Sequence, residues 1–256
     1  MKTLVIGDVH CKPEILMNFY KQADKYDKII FVGDACDNFG CGQESNIKAL
    51  TTISGIKDTL KDKFIWLIGN HDWGYYDDSI DMTGHIKKDS AKVYQILKDN
   101  IEKWDILYAQ DDFLFSHAGV CVEFLRHPLL CSSKKSEFID KVNDLKYKPG
   151  PYNPLNGVGP SCGGYQTPSP LWMRPSDCYH SHLTPVRNYK QVIGHTPVRD
   201  IHFEEGMLLV DTFSQYQDLT PYGDRTALLI EDGKLFIVDS QGKNKTQIKE
   251  EQWHKR

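Results

Sequence analysis

No apolar run in this chain approaches the roughly 18 residues that mark a membrane-crossing helix. Met1-Lys2 leads straight into a strand-like run with no apolar signal segment, so a cytoplasmic protein with no membrane partner is expected. A basic surplus is missing as well. The net charge of −4 and the pI near 6.2 argue against a nucleic-acid-binding surface, while leaving nucleotide-sized substrates open. No C-x-x-C pair occurs. The seven cysteines, at 11, 36, 41, 121, 131, 162 and 178, are odd in number, so neither a disulfide framework nor a zinc ribbon is favoured and reduced thiols are expected. There is no internal repeat. A chain of 256 residues supports one large core, which favours one domain with an added lobe over two equal domains.

What is present is a strand-and-helix alternation. "TLVIGD" (3–8), "KIIFVGD" (28–34) and "FIWLIGN" (64–70) are short apolar runs closed by polar residues. Between them, 13–26 carries apolar residues at helical spacing behind a proline, and a further helical segment spans about 43–61. This order predicts βαβ units and a parallel sheet covered by helices. A helix near 89–103 and short strands at 105–109 and 112–117 follow, then a partly helical 120–145. Residues 146–177 are dense in Gly, Pro, Tyr and Asn, a length of loop that is uncommon unless functional or disordered; their Tyr and Trp argue against plain disorder. Strands are predicted again at 189–195, 206–212, 226–232 and 234–240, the last two joined by an Asp232-Gly233 hairpin signal. The tail 241–256 is polar and expected to be peripheral.

Polar clusters close the apolar runs: Asp8-Val9-His10, Asp34-Ala35-Cys36-Asp37, Asn70-His71-Asp72, Ser116-His117 and Gly194-His195. One such cluster is an ordinary cap or turn. Five of them, each just after an apolar run, point to the ligand crevice at the carboxyl ends of strands. Asp8 and His10, two apart in extended chain, face one side and can share a metal ion. Asp34, with two carboxylate oxygens, can bridge to a second ion, for which Asn70, His117 and His195 offer an amide oxygen and two imidazoles. Mixed N/O ligands suit Mn, Fe, Zn or Ni and disfavour a closed structural zinc site. Such two-metal sites serve phosphoryl chemistry. His71 is then free to act as general acid, with Asp37 orienting it.

The series "GDVH … GDACD … GNHD … SHAG … GHTP" resembles the calcineurin-like metallophosphoesterases, on the branch of phosphoprotein phosphatases and their bacterial and phage relatives, over residues 4–198. The resemblance implies two divalent ions, Mn expected, one on Asp8, His10 and Asp34 and the other on Asp34, Asn70, His117 and His195, with His71 and Asp37 catalytic. It implies a four-layer α/β fold, a β-sandwich of two mixed sheets flanked by helices, as one domain over 1–240. It further implies hydrolysis of phosphomonoesters by in-line attack of a metal-bridging hydroxide. "PLWMRP" (170–175) resembles a segment whose arginine grips phosphate, which makes Arg174 a substrate-binding candidate. "LLVDT" (208–212) resembles a segment near the end of the family core.

The departures bear on substrate. Asn38 stands where the family motif has a second phosphate-gripping arginine and can donate only an uncharged hydrogen bond; Cys11 replaces a glycine. Asp72 instead of Glu is closer to the dinucleoside-tetraphosphatase relatives, and Pro197 in place of a further histidine favours the phosphatase branch over phosphodiesterases. A cysteine phosphatase built on Cys36 would need C-x5-R, and residue 42 is Gly. His180 and His182 have no strand behind them, and His85, His127, His202 and His254 lack motif context. The expected partner is a phosphorylated protein or small phosphoester. The competing expectations are a nucleotide hydrolase and a scaffold that has lost catalysis; the second needs missing ligands, and none is missing.

Overall fold

Successive residues of the early strands point into two different apolar neighbourhoods, and this alternation builds the layers. In β1 (Lys2–Ile6), Val5 joins one buried cluster with Ile30, Leu67, Phe115, Val192 and Leu228, while Leu4 and Ile6 join another with Leu16, Phe19, Leu50 and Ile53. The period of two in a strand requires this split when both faces are covered. The first cluster is the space between two sheets. The second lies between a sheet and its flanking helices.

The computed structural model describes residues 1–80, 85, 90–130 and 137–249. Position 89 of the predicted helix, Cys131, residues 131–136 of the partly helical stretch, and His254 with the end of the tail fall outside these. After β1 come α1 (Pro13–Tyr20), β2 (Lys28–Phe31), α2 (Gln43–Leu60), β3 (Phe64–Leu67), α3 (Asn70–Tyr76), α4 (Ser90–Asp99) and β4 (Trp104–Asp105). Next are β5 (Leu107–Gln110), β6 (Phe113–Ser116), α5 (Val122–Leu125), α6 (Phe138–Asn143) and α7 (Pro175–His180). The chain finishes with β7 (Lys190–Ile193), β8 (His202–Glu204), β9 (Met207–Leu209), β10 (Ala227–Glu231), β11 (Lys234–Val238) and β12 (Thr246–Gln247).

The first sheet runs β12-β11-β10-β1-β2-β3-β4 and the second β5-β6-β7-β9-β8. Strands β1 to β4 are mutually parallel, as are β6, β7 and β9; the remaining pairings are antiparallel. The fold is thus an α/β sandwich of two mixed sheets flanked by helices. A single parallel sheet, expected from βαβ order alone, is too small a description: the strands after residue 106 build the second layer and then return to the first at β10. The short strand β12 brings part of the polar tail onto the edge of the first sheet.

The 146–177 segment is built from 3-10 turns and bends and is tied down by polar side chains. Asn156 accepts from Trp73 Nε1 at 2.7 Å and donates to Asp77 and the Gly150 carbonyl, each at 3.0 Å. Its own Leu155, Leu171 and Met173 are fully buried. Among the described residues, no helix is long and apolar enough to cross a membrane.

Candidate metal centre and active site

The parallel strands bring their carboxyl ends to one edge of the sandwich. Asp8 follows β1, Asp34 follows β2, Asn70 opens α3 behind β3, His117 follows β6 and His195 follows β7. The turns that hold them are tightly laced. Val9 and His10 donate backbone N–H groups to the Asp34 carbonyl, His195 N donates to Asp8 Oδ2 at 2.9 Å, and His71 N to Asp34 Oδ1 at 2.9 Å. His10, Asp34, Asp37 and His195 all sit at positive φ, between 41° and 63°, a conformation that costs a non-glycine residue free energy and gathers at functional sites. Close approach explains two glycines. A Cβ at Gly69 would lie 2.0 Å from Asp34 Oδ1, and one at Gly194 2.1 Å from Asp8 Oδ1.

Two clusters that could hold a metal ion result, Asp8–His10–Asp34 and Asp34–His117–His195, with Asp34 common to both. Their hydrogen bonding shows that cations suit them. His10 Nδ1 lies 2.8 Å from the Asp37 carbonyl and His117 Nδ1 3.1 Å from the Val32 carbonyl. Carbonyls only accept, so each ring carries a proton on Nδ1 and turns Nε2 inward, where the neutral ring has a lone pair for an ion. His117 Nε2 then faces Asn70 Oδ1 at 2.8 Å and Asp34 Oδ2 at 3.4 Å, and His10 Nε2 faces Asp34 Oδ2 at 3.8 Å. Opposite a neutral ring these oxygens would meet a lone pair, so a positive charge, whether an ion or a second ring proton, belongs between them. Asp8 Oδ1 is buried with no hydrogen-bond partner, a position that is costly unless something positive binds there.

The electrostatics agree. Burial pushes the Asp8 carboxyl well up, helped by the charges of Asp211 and Asp34. Burial acts on Asp34 in the same sense, but the His117 and His71 rings outweigh it and hold that carboxyl far below the usual range. His195 is driven well down by burial and by the nearby Arg174 and His117, which keeps its imidazole neutral. For His71, burial lowers the pKa, yet Asp34 and the hydrogen-bonded Asp37 reverse this and bring it up to about 9.

His71 lines the same cavity of about 320 Å³ as His10, Asp34, Asn70, Arg174 and His195. Its Nδ1 is 3.0 Å from Asp37 Oδ2, while Asp37 Oδ1 accepts from Tyr75 Oη at 2.7 Å and from Asn46 Nδ2 at 3.2 Å. Asp37 is therefore clamped from two sides and aims His71. Arg174 donates from Nη1 to the His195 carbonyl at 3.2 Å and from Nε to Cys162 Sγ at 3.2 Å. Asn38 is not brought to this cavity. Its Nδ2 donates to Gln215 Oε1 at 2.7 Å, and it lines a neighbouring cavity with Lys12, Phe39 and Arg225, beyond the left-handed turn at Asp37.

Four residues to which the sequence assigned no role also belong here, Asp211 among them although it lies in the LLVDT segment. Asp211, two residues past β9, is fully buried, lines the cavity, and accepts from Ser214 Oγ through both oxygens at 2.9 Å. Its signal is the same one that marks Asp8, an acid just beyond a parallel strand. Asn46 and Tyr75 carry no linear signal because they reach Asp37 from two helices. Cys162 lies in the Gly/Pro-rich segment.

Asp72, which has no chemical role on sequence grounds, receives one from the fold. It is completely buried and accepts from the backbone N–H groups of Ala35 at 3.1 Å, Cys36 at 2.8 Å and Gly69 at 3.1 Å. It fastens the Asp34 turn to the Asn70 turn. Asp72→Ala should strand these three buried donors and destabilise the fold by about 3–5 kcal/mol, with Asp72→Asn, which keeps one acceptor oxygen, losing about 1–2. Urea unfolding midpoints measure this; an alanine variant within about 0.5 kcal/mol of the parent would contradict the clamp.

The family signature of the calcineurin-like phosphoesterases matches residues 1–220. Among solved structures, the chain is similar to a cold-active protein-tyrosine phosphatase of a psychrophilic Shewanella species, with 19% identity, a TM-score of 0.60, and coverage of 97% of this chain and 80% of that one. It is also similar to a protein serine/threonine phosphatase from Saccharomyces cerevisiae, with 16% identity, a TM-score of 0.57, and coverage of 91% and 73%. No curated protein matches the chain by sequence. Sheet order, paired ligand clusters and family signature converge: the chain belongs to the calcineurin-like phosphoesterase family and is a metal-dependent phosphoric ester hydrolase.

Proposed function

We propose that the chain is a phosphomonoesterase acting on phosphoserine and phosphothreonine side chains of proteins. The observation that carries this reading is the cavity's supply of permanent positive charge. Among the described residues lining it, Arg174 is the sole Lys or Arg. One guanidinium beside two ion sites matches the charge of one terminal phosphoryl group, whereas a polyphosphate chain would call for further cations along its length. Arg174 Nη2 has no partner among the described residues, while Nε and Nη1 are engaged, so the guanidinium is held with one edge available.

Asp8, His10, Asp34, Asn70, His117 and His195 would hold two divalent ions, manganese being the expected metal. When bound, these supply Lewis acidity that lowers the pKa of water and offsets phosphoryl charge. The protein's own groups do the rest. Arg174 binds and orients the phosphoryl oxygens, and His71, kept protonated by Asp37, presents its Nε2–H to the leaving oxygen. Beside Arg174 runs an open groove of about 340 Å³, lined also by Phe39, Pro197, Tyr216 and Tyr222. Exposed aromatic and apolar side chains beside the cavity suit the residues that flank a phosphorylated side chain.

The test compares four substrates with Mn²⁺-loaded protein: a phosphothreonine peptide, a phosphotyrosine peptide, a dinucleoside tetraphosphate and an aryl phosphodiester. The phosphothreonine peptide should have the highest kcat/KM. A tetraphosphate turned over faster than either peptide would replace this reading with the nucleotide hydrolase, and no turnover of any substrate would leave a scaffold.

A further inference from the structure

Of the three imidazoles at the ion sites, two have their tautomer fixed by a backbone carbonyl, and the third does not. His195 presents Nδ1, not Nε2, to Asn70 Oδ1, at 2.9 Å. Its outward nitrogen, Nε2, lies 3.5 Å from the sulfur of Cys162. The same sulfur accepts from Arg174 Nε at 3.2 Å and lies 3.4 Å from the Trp172 carbonyl. We infer that Cys162 is a positioning residue: its sulfur sets the tautomer of the metal ligand His195 and holds the Arg174 guanidinium in register with the metal centre. This rests on the two-ion reading above and adds to it.

A thiol both donates and accepts, which a carbonyl does not. Without an ion, His195 carries its proton on Nδ1, donates to Asn70 Oδ1, and receives S–H at Nε2. With an ion on Nδ1, the ring proton must sit on Nε2. The sulfur then accepts it, and the thiol proton turns to the Trp172 carbonyl. No buried nitrogen is orphaned in either state, so the ligand exchanges its proton for an ion without losing its outer partner. Backing a ligand in this way raises its basicity and fixes its ring. The arginine contact extends the role to substrate, since Nε anchored on sulfur limits rotation of the guanidinium fork. The turn that carries Cys162 is itself fixed, with Cys162 N donating to the Gly159 carbonyl and Ser161 N to Asp177 Oδ1.

Three proteins decide the matter: the unaltered chain, Cys162→Ala and Cys162→Ser. Mn²⁺ binding is read by calorimetry on metal-stripped protein, and KM and kcat are read separately on a phosphomonoester at saturating Mn²⁺. Loss of an outer partner typically costs about 10–100-fold in metal affinity; a sulfur acceptor is weak, so about tenfold is expected for the alanine variant. Its KM should rise by a similar factor, and kcat should change less. Serine keeps a donor and acceptor and should recover most of both. In the unaltered protein, nitrogen-15 imidazole spectra should show the His195 proton moving from Nδ1 to Nε2 as diamagnetic Zn²⁺ is added, a readout that needs no variant to fold. An alanine variant with unchanged affinity and KM, a serine variant no better than alanine, or a His195 proton that stays on Nδ1 would each overturn the inference. Unaltered protein that binds no Mn²⁺ would overturn the two-ion reading and the inference together.

Discussion

His71→Asn should lower kcat on an alkyl phosphomonoester by about 10²–10⁴ while leaving Mn²⁺ binding within about threefold of the parent. The size follows from what the ring does. A serine or threonine alkoxide is a poor leaving group, so a proton delivered in the transition state counts heavily. His71 is not among the ion ligands, and its backbone N–H to Asp34 survives the substitution. The sign of the pH dependence follows from the same geometry. Burial disfavours the imidazolium, but Asp34 and Asp37 outweigh it and bring the pKa up to about 9. The acid form is therefore present below that value and lost above it. Cations bound at Asp34 offset part of the pull, so the alkaline limb of the loaded enzyme should lie lower. Asp37→Asn removes a charge and a hydrogen bond that favour the imidazolium and should move the limb lower still. A limb that stays put in Asp37→Asn, or full activity in His71→Asn on an alkyl ester, would remove His71 from the acid role.

Asp34→Asn should be the most damaging substitution for metal content. Its carboxylate is common to both ligand clusters and is buried, at 2% exposure. Removing one member of a buried charged assembly costs about 3–5 kcal/mol, which is about 10²–10⁴-fold in affinity. Asparagine keeps the shape and an oxygen for the His71 N–H, so the fold should persist. In the parent, Mn²⁺ at a hundred times its Kd should stabilise the fold by about 2.7 kcal/mol, read as a rise in Tm. In Asp34→Asn that rise should vanish. A variant that still binds two ions with parent affinity would show that the carboxylate is not shared.

Much of the site was legible in the sequence because parallel strands end in the same place. Asp8, Asp34, Asn70, His117 and His195 each stand just past an apolar run, and turn-forming or capping alone does not put such polar side chains at five strand ends. The second sheet was less legible. Runs such as "TLVIGD" are apolar on both faces, so periodicity does not show which side meets a helix and which meets another sheet. Asp211 was hidden for a related reason. An acid also follows β10, at Asp232, where the antiparallel strand carries it to the edge opposite the metal centre. Strand direction separates these two acids, and direction is a property of the fold. Asn38 shows the converse: its place in the motif suggested a phosphate contact, and the turn at Asp37 instead pairs it with Gln215. Asn46, Tyr75 and Cys162 act on the site from helices and an aperiodic segment, where no spacing rule applies.

The distribution of ligands over the two sheets has a mechanical side. Asp8, Asp34 and Asn70 belong to the first sheet, His117 and His195 to the second, and the hydrogen bond from His195 N to Asp8 spans 187 positions of chain. Within each sheet the strands are locked by their ladders. Between the sheets the core is mostly apolar, with a hydrogen bond from Gln110 Nε2 to Thr3 Oγ1 at 2.8 Å among the contacts that cross it, and such a core resists separation better than sliding. Ions held by residues of both sheets would oppose that sliding at the catalytic edge, so metal binding would also stiffen the cleft.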